Sequence, residues 1–175
     1  LQFHYEVILP YNGTGVDTEQ DIVKLAVAER HLNTGHIGIG FLKGYGLKNG
    51  AVASSIAHDS HNLIIVGTND LDMSIAANCV RKNQGGLALV SEGKILGELP
   101  LPIAGLMCDE KAEEVEEKLG NMKKEAVRLG VSKGIDPFMT LAFISLPVIP
   151  DIRLTTYGLV KVDTQELIST IFKKN

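Results

Sequence analysis

Five consecutive polar side chains, from His58 to Asn62, hold most of the chemistry that this sequence offers. Two imidazoles, His58 and His61, stand three residues apart with the carboxylate of Asp59 between them. Neutral imidazoles bind transition metals, with Asp59 as a further ligand or as a hydrogen-bonding partner. Alternatively, Asp59 orients one histidine, which then acts as a general acid or base. The residues leave open a third, structural role, in which these groups cap one another and the neighbouring strand ends.

A second polar group, Glu29-Arg30-His31, follows a predicted strand, and an ion pair at a loop edge is its simplest interpretation. Asp136 is expected to begin a helix. The sequence contains no G-x-x-x-x-G-K-[ST], G-x-S-x-G, H-E-x-x-H or C-x-x-C motif. The signature of the small zinc nucleobase deaminases is also missing. A His-x-x-His pair alone does not specify a metal site, because such sites need further ligands at recognisable spacing.

The composition is that of an ordinary globular domain and excludes several classes of partner. Hydrophobic residues make up 45% of the 175 residues and charged residues 22%. The net charge of -4 gives no electrostatic basis for binding nucleic acid or an anionic membrane. No apolar run approaches the length of about 20 residues that spans a bilayer. The cysteines, Cys79 and Cys108, form no disulfide framework, so a reducing cytoplasmic setting is expected.

Hydrophobic periodicity predicts a mixed α/β fold. Expected strands cover residues 3–9, 22–29, 51–57, 63–67, 87–90, 94–99 and 159–162. Expected helices begin at Asn69 or Asp70 and cover residues 109–129, 137–145 and 164–172. The glycine-rich residues 31–50 fit either a strand with close backbone approaches or a loop, and residues 146–150 are expected to be extended. We therefore predict one domain over residues 1–175, with a sheet mainly mixed in direction, helices packed against it, and no TIM barrel.

Seven runs of the sequence carry a family resemblance. They are ERH at 29–31, TGHIGIGFLKGYGLK at 34–48, ASSIAHDSHN at 53–62, VGTND at 66–70, LPLPIAGLM at 99–107, DPFMTL at 136–141 and LPVIP at 146–150. Taken in order, these runs resemble the C-terminal domain of bacterial adenine deaminase. Residues 1–18 and 163–175 match only loosely. One departure is His36, where the family pattern has asparagine.

The resemblance implies an amidohydrolase-superfamily enzyme that converts adenine and water to hypoxanthine and ammonia. In that family a pair of divalent metal ions, manganese or iron, is bound by a TIM-like barrel that precedes this domain. None of the barrel's ligand motifs occurs in this sequence, which begins with Leu1, so the chain is expected to be an inactive fragment with no metal of its own. If it did hold a metal, His58 and His61 would be its ligands. The implied partners are adenine, the barrel domain and a second copy of the protein.

Two roles for this domain follow from the resemblance. In the first, residues 58–62 close the mouth of the barrel, with His58, Asp59 and His61 as candidates for catalysis. Candidates for contacting the substrate are Ser60, Asn62, Glu29 and His31. In the second, the domain is a scaffold that packs on the barrel and builds a homodimer. The alternative is that the chain is not part of an enzyme but a free-standing module that binds a purine-like small molecule.

Overall fold

The computed structural model describes residues 13–171, which form nine strands and two α-helices. In chain order the elements are β1 Ile22–Ala28, β2 Ile37–Lys43, β3 Ala51–Ser54, β4 Leu63–Gly67, α1 Asp70–Lys82, β5 Gly86–Ser91, β6 Lys94–Pro100, α2 Ala112–Arg128, β7 Ile152–Thr155, β8 Gly158–Lys161 and β9 Glu166–Ile168. A single turn of 3₁₀-helix, Leu141–Phe143, lies between α2 and β7. The predicted α/β class, without a barrel, is confirmed.

Six strands form the main sheet, in the order β2-β1-β4-β3-β5-β6, and every neighbouring pair is antiparallel. The expectation of mixed strand directions is therefore wrong for the described residues. The reason is the short connections: β1 to β2, β3 to β4 and β5 to β6 are each joined without an intervening helix, and parallel pairing would need a longer crossover. A second sheet, β7-β8-β9, is also antiparallel.

The central strands of the main sheet are covered on both faces. Alternate residues point to opposite sides, so Ala53 and Ile65 face α1 while Val52 and Ile64 belong to the larger core on the other side. That larger core includes Phe138 and side chains of α2. Burial on both faces explains why β3 and β4 are continuous apolar runs rather than alternating ones.

The glycine-rich segment contains β2, and the alternative of a strand with close backbone approaches is the one observed. Gly38 lies against the second sheet, where a Cβ would stand 1.8 Å from the carbonyl oxygen of Thr155. A Cβ at Gly40 would lie 3.4 Å from the side chains of Leu154 and Leu159, so Gly40 also faces the second sheet. Gly38 therefore lets the two sheets meet at this edge.

Several predicted elements need correction. The expected helix at 164–172 is wrong over its described part, which contains β9. The expected helix at 137–145 is reduced to turns and the 3₁₀ turn, although Asp136 does accept hydrogen bonds from the backbone N–H groups of Phe138 and Met139, as a capping residue does. Residues 146–150 form turns rather than an extended segment. The strand expected at 3–9 lies outside the described residues.

The two α-helices are also too short or too polar to be membrane spans. Over residues 13–171 no helix combines the length and the apolar character that crossing a bilayer requires.

Candidate functional site: a polar loop cluster at one end of the sheet

Three connecting segments meet at one end of the main sheet. Residues 29–36 follow β1 and residues 55–62 precede β4, and Ala28 pairs with Leu63 where these strands end. Ser55 N–H donates to the carbonyl of Gly86 at the start of β5 (3.0 Å), and Gly86 pairs with Pro100 at the end of β6. Residues 101–107 therefore leave the sheet at the same end. The antiparallel register brings together segments that are far apart in the sequence.

The base of this cluster is the buried hydroxyl of Ser55. Its Oγ donates to the carbonyl oxygen of Gly105 (2.6 Å) and accepts from the backbone N–H of Gly86 (2.7 Å). Ser55 is completely buried. The Ser55 side chain thus joins three backbone segments. Its removal would leave the N–H of Gly86 and the carbonyl of Gly105 without a hydrogen-bond partner.

Backbone hydrogen bonds hold the loop of residues 55–62 above this base. His58 N–H donates to the carbonyl of Ala142 (2.8 Å), within the 3₁₀ turn, and His61 N–H donates to the carbonyl of Ala57 (2.6 Å). His61 has a positive φ of 48°. The loop is therefore attached to both the sheet and the 3₁₀ turn.

The two imidazoles of the loop lie close to each other. The ring centroids of His58 and His61 are 6.0 Å apart, and the His58 ring is 5.1 Å from that of Phe143. His61 Nδ1 is buried and has no hydrogen-bond partner among the described residues. Loss of hydration lowers the pKa of His61, and the positive charges of His58, Arg30 and His31 lower it further. A neutral His61 imidazole is thus favoured at neutral pH.

The remaining loop residues differ in exposure. Asp59 and Ser60 are exposed, whereas Asn62 is half-buried. Asn62 Oδ1 accepts from the backbone N–H of Arg30 (3.3 Å), and the Ser60 carbonyl lies 2.7 Å from Nε2 of His31. The structure therefore brings His31 and the 58–62 loop together, although 29 residues separate His31 from Ser60.

Arg30 is the member of the cluster that the sequence did not reveal. Instead of the expected ion pair, its guanidinium donates from Nε to the carbonyl of His61 (2.8 Å) and from Nη2 to the carbonyl of Ala104 (2.8 Å). Both acceptors are main-chain atoms, which carry no side-chain signature. The register of β1 with β4 places Arg30 beside His61, and the pairing of β5 with β3 and β6 brings the turn that contains Ala104 to the same end of the sheet.

The carboxylate of Glu29 is used within its own turn. It accepts from the backbone N–H groups of His31 (2.5 Å), Leu32 (2.7 Å) and Thr34 (3.1 Å), and from the Thr34 hydroxyl (3.2 Å). These hydrogen bonds, led by those from Thr34 and Leu32, lower the pKa of Glu29 to about 2. Glu29 therefore shapes the turn that carries Arg30 and His31.

Replacing Glu29 with Gln is expected to destabilise the protein at pH 7, because the amide nitrogen would face N–H donors that need an acceptor. The folded-state pKa of Glu29, about 2, lies below its ordinary value of 4.5. The stabilisation by Glu29 is thus present above pH 4.5 and is lost as the pH falls towards 2. Urea denaturation at several pH values should show the difference between wild type and Glu29→Gln shrinking over that window. The exposed Glu117→Gln on α2 is the control, and an equal effect of both changes at pH 7 would contradict the assignment.

The implied pair of divalent ions does not fit the side chains of this cluster. Within residues 13–171, no three His, Cys, Asp or Glu side chains are grouped so that they could hold an ion. His58 and His61 supply two imidazoles and no third ligand, and a metal pair needs several. That this chain binds no metal of its own remains a prediction.

Exposed apolar side chains surround the polar loop. Ile103, Met107 and Phe143 are between 42% and 57% exposed. The first two belong to the turn at residues 103–107 that Arg30 and Ser55 hold, and Phe143 lies beside His58. Exposed apolar side chains beside polar residues mark surfaces that another protein part or a ligand covers, and we call these three side chains the apolar rim.

Fold and site together define an α/β domain that presents a polar loop cluster at one end of an antiparallel sheet. Comparison with known proteins identifies its family. The family model described as the adenine deaminase C-terminal domain matches residues 4–166. The chain therefore belongs to the family of adenine deaminase C-terminal domains, and the resemblance noted in the sequence is confirmed.

The relatives carry the same name along the same region. A protein named adenine deaminase 2, from Carboxydothermus hydrogenoformans, is 53% identical over 151 residues, which cover 86% of this chain and 26% of that relative. The adenine deaminases of Desulforamulus reducens and Bacillus subtilis are 49% and 47% identical, over 89% and 87% of this chain and 26% of each relative. The chain thus spans about a quarter of the length of the curated relatives that it matches.

Proposed function

We propose that this chain is the C-terminal domain of an adenine deaminase, which converts adenine and water to hypoxanthine and ammonia. The observation that carries this proposal is the match over residues 4–166, together with relatives named adenine deaminase at about 50% identity. In the reaction, water adds at C6 of the purine, the C6–N bond breaks and ammonia leaves. A pair of divalent ions, manganese or iron, would activate this water, and its ligands would belong to a barrel domain outside this chain.

The proposed role of residues 58–62 is to face the purine site in the whole protein. Support comes from the half-buried imidazoles, from the unpartnered Nδ1 of His61 and from the apolar rim around them. A purine presents ring-nitrogen acceptors and an exocyclic amino donor, which histidine and asparagine side chains can bind. His58 and His61 are also suited to move a proton to the departing amine. Asp59, Ser60 and Asn62 lie on the same loop, and His31 lies beside it.

The apolar rim supports a specific partner for this end of the domain. Ile103, Met107 and Phe143 would be buried against the part of the protein that corresponds to the other three quarters of the relatives. We further propose a homodimer in the cytoplasm, with residues 1–175 acting as one domain of each subunit. The competing proposal is that this domain is only a scaffold and that residues 58–62 do not face the purine site. The many internal hydrogen bonds of the loop favour that role.

Ammonia release tests the proposal. A full-length protein that contains this chain, supplied with manganese and adenine, is expected to release ammonia and form hypoxanthine in equal amounts. The 175-residue chain under the same conditions is expected to release none above the blank, because the residues that hold the metal pair lie elsewhere. The proposal fails if the full-length protein does not deaminate adenine, or if the isolated chain does so with turnover.

A further inference from the structure

We propose that Arg30 is a positioning residue for the reaction. Its guanidinium fixes the 58–62 loop relative to the turn at residues 103–107, so that both present one surface to the purine site. This inference rests on the proposed function, because it assumes that the loop faces the substrate. It assigns a role to a side chain that need not contact the substrate at all.

Arg30 donates three hydrogen bonds to two segments of the cluster. The Arg30 backbone N–H donates to Asn62 Oδ1, Nε donates to the His61 carbonyl, and Nη2 donates to the Ala104 carbonyl. Two of these acceptors flank the end of the polar loop, and the third lies 74 residues further along the chain than Arg30. No other side chain of the cluster contacts both segments through charged donors.

The guanidinium of Arg30 lies closely against Gly105. A Cβ at Gly105 would lie 2.5 Å from Nη2 and 2.7 Å from Cζ of Arg30, so only glycine leaves room for the flat guanidinium. Gly105 also has a positive φ of 77°, which other residues adopt at a cost. Its carbonyl is held by Ser55 from the other side. The turn is thus shaped to receive the guanidinium.

The donor geometry of arginine suits this position better than that of lysine. Arginine donates from several nitrogens in a rigid plane, so it can bind two carbonyls that lie in different directions. Lysine donates from a single centre and would hold one carbonyl at the expense of the other. Because both acceptors are uncharged, the positive charge of Arg30 stays beside His61, where it favours the neutral imidazole.

Removing the donors of Arg30 is expected to lower kcat rather than to unfold the protein. Arg30→Met in the full-length enzyme keeps much of the apolar stem and should reduce kcat about 10-fold, since displacement of a catalytic group by about 1 Å can cost about 100-fold. Arg30→Lys should recover part of the loss. Arg153→Met is the matched control, because Arg153 also donates to two carbonyls, those of Pro150 and Ile152, but within its own segment.

The expected pattern is a loss of kcat in Arg30→Met, a partial recovery in Arg30→Lys and, in Arg153→Met, a lower Tm with unchanged kcat per folded protein. All rates are measured at a temperature where every variant is folded, with Tm determined in parallel. Wild-type kcat in Arg30→Met would overturn the inference, as would a loss equal to that in Arg153→Met. If Arg30→Met is insoluble, the comparison of Arg30→Lys with wild type decides, and equal kcat overturns the inference.

A double change of His58 and His61 to Ala separates this inference from the proposed function. If the double variant loses activity while Arg30→Met keeps it, only the role of Arg30 is wrong. If the double variant is fully active, the loop does not serve the reaction, and the proposed role of the loop fails together with this inference.

Discussion

Changing His58 and His61 together to Ala in the full-length protein is expected to lower kcat for adenine deamination by about 100-fold or more, the scale of a lost general acid or base. The two rings lie 6.0 Å apart on a loop that backbone hydrogen bonds hold in place, so their removal leaves the loop attached. The change also removes Nδ1 of His61, which is buried and has no hydrogen-bond partner among the described residues. Steady-state kinetics of ammonia release measure the effect.

The metal content of the double variant is expected to equal that of wild type, because the described residues do not fit the metal pair. His36→Ala is the matched control: this exposed histidine packs against Tyr157, which lies in the turn between β7 and β8. It should leave kcat unchanged. Unchanged turnover and unchanged metal content in the double variant would contradict the proposed role of the loop and favour the scaffold.

Ser55→Ala is expected to reduce the free energy of unfolding by about 3 kcal/mol, because it leaves two buried backbone groups unpaired at about 1–3 kcal/mol each. These groups are the N–H of Gly86 and the C=O of Gly105, which the Ser55 hydroxyl joins. The expected fall in Tm is about 6–12 °C for a chain of this size. Urea and thermal denaturation of the chain measure both quantities.

The neighbouring residue provides a closely matched control. Ser54 is also fully buried, but its hydroxyl bonds within its own segment: it accepts from the N–H of Ile56 (3.0 Å) and donates to the carbonyl of Ile56 (3.4 Å). Ser54→Ala removes the same atom and should cost about 1 kcal/mol. If Ser54→Ala destabilised the chain as much as Ser55→Ala, the hydroxyl of Ser55 would not be the anchor of the cluster.

Elements with a strong local pattern were predicted well. The strands expected at 51–57, 63–67, 87–90 and 94–99 and the helix expected at 109–129 are all observed, with bounds that differ by at most three residues. Each depends on residues that are close in the sequence. Hydrophobic periodicity and turn chemistry are local properties, and they were sufficient in these places.

Elements that depend on distant partners were predicted poorly. The strand β9 was expected to be part of a helix that begins at Thr164, but β9 pairs with β8 instead. The strand β7 was missed, since it follows a proline-rich stretch and is only four residues long. In both cases pairing with another strand outweighs a weak local preference.

The residues of the candidate site also differ in how well the sequence predicts them. The loop of residues 58–62 stands out in the sequence because polar residues interrupt two apolar strands. The role of Arg30 does not, since its acceptors are carbonyls of His61 and Ala104. Residue types cannot show which main-chain atoms meet, because the register of β1 with β4 and the pairing of β5 with β3 and β6 bring these segments together.

The most direct test of the account is a structure of the full-length protein with adenine or an unreactive purine bound. We expect the imidazole of His58 or His61 to lie within about 3.2 Å of the purine or of a water bound to it, which is hydrogen-bond distance. The same structure should show Ile103, Met107 and Phe143 covered by the rest of the protein. A 58–62 loop that points to bulk solvent, with no contact to the purine site, would contradict the account.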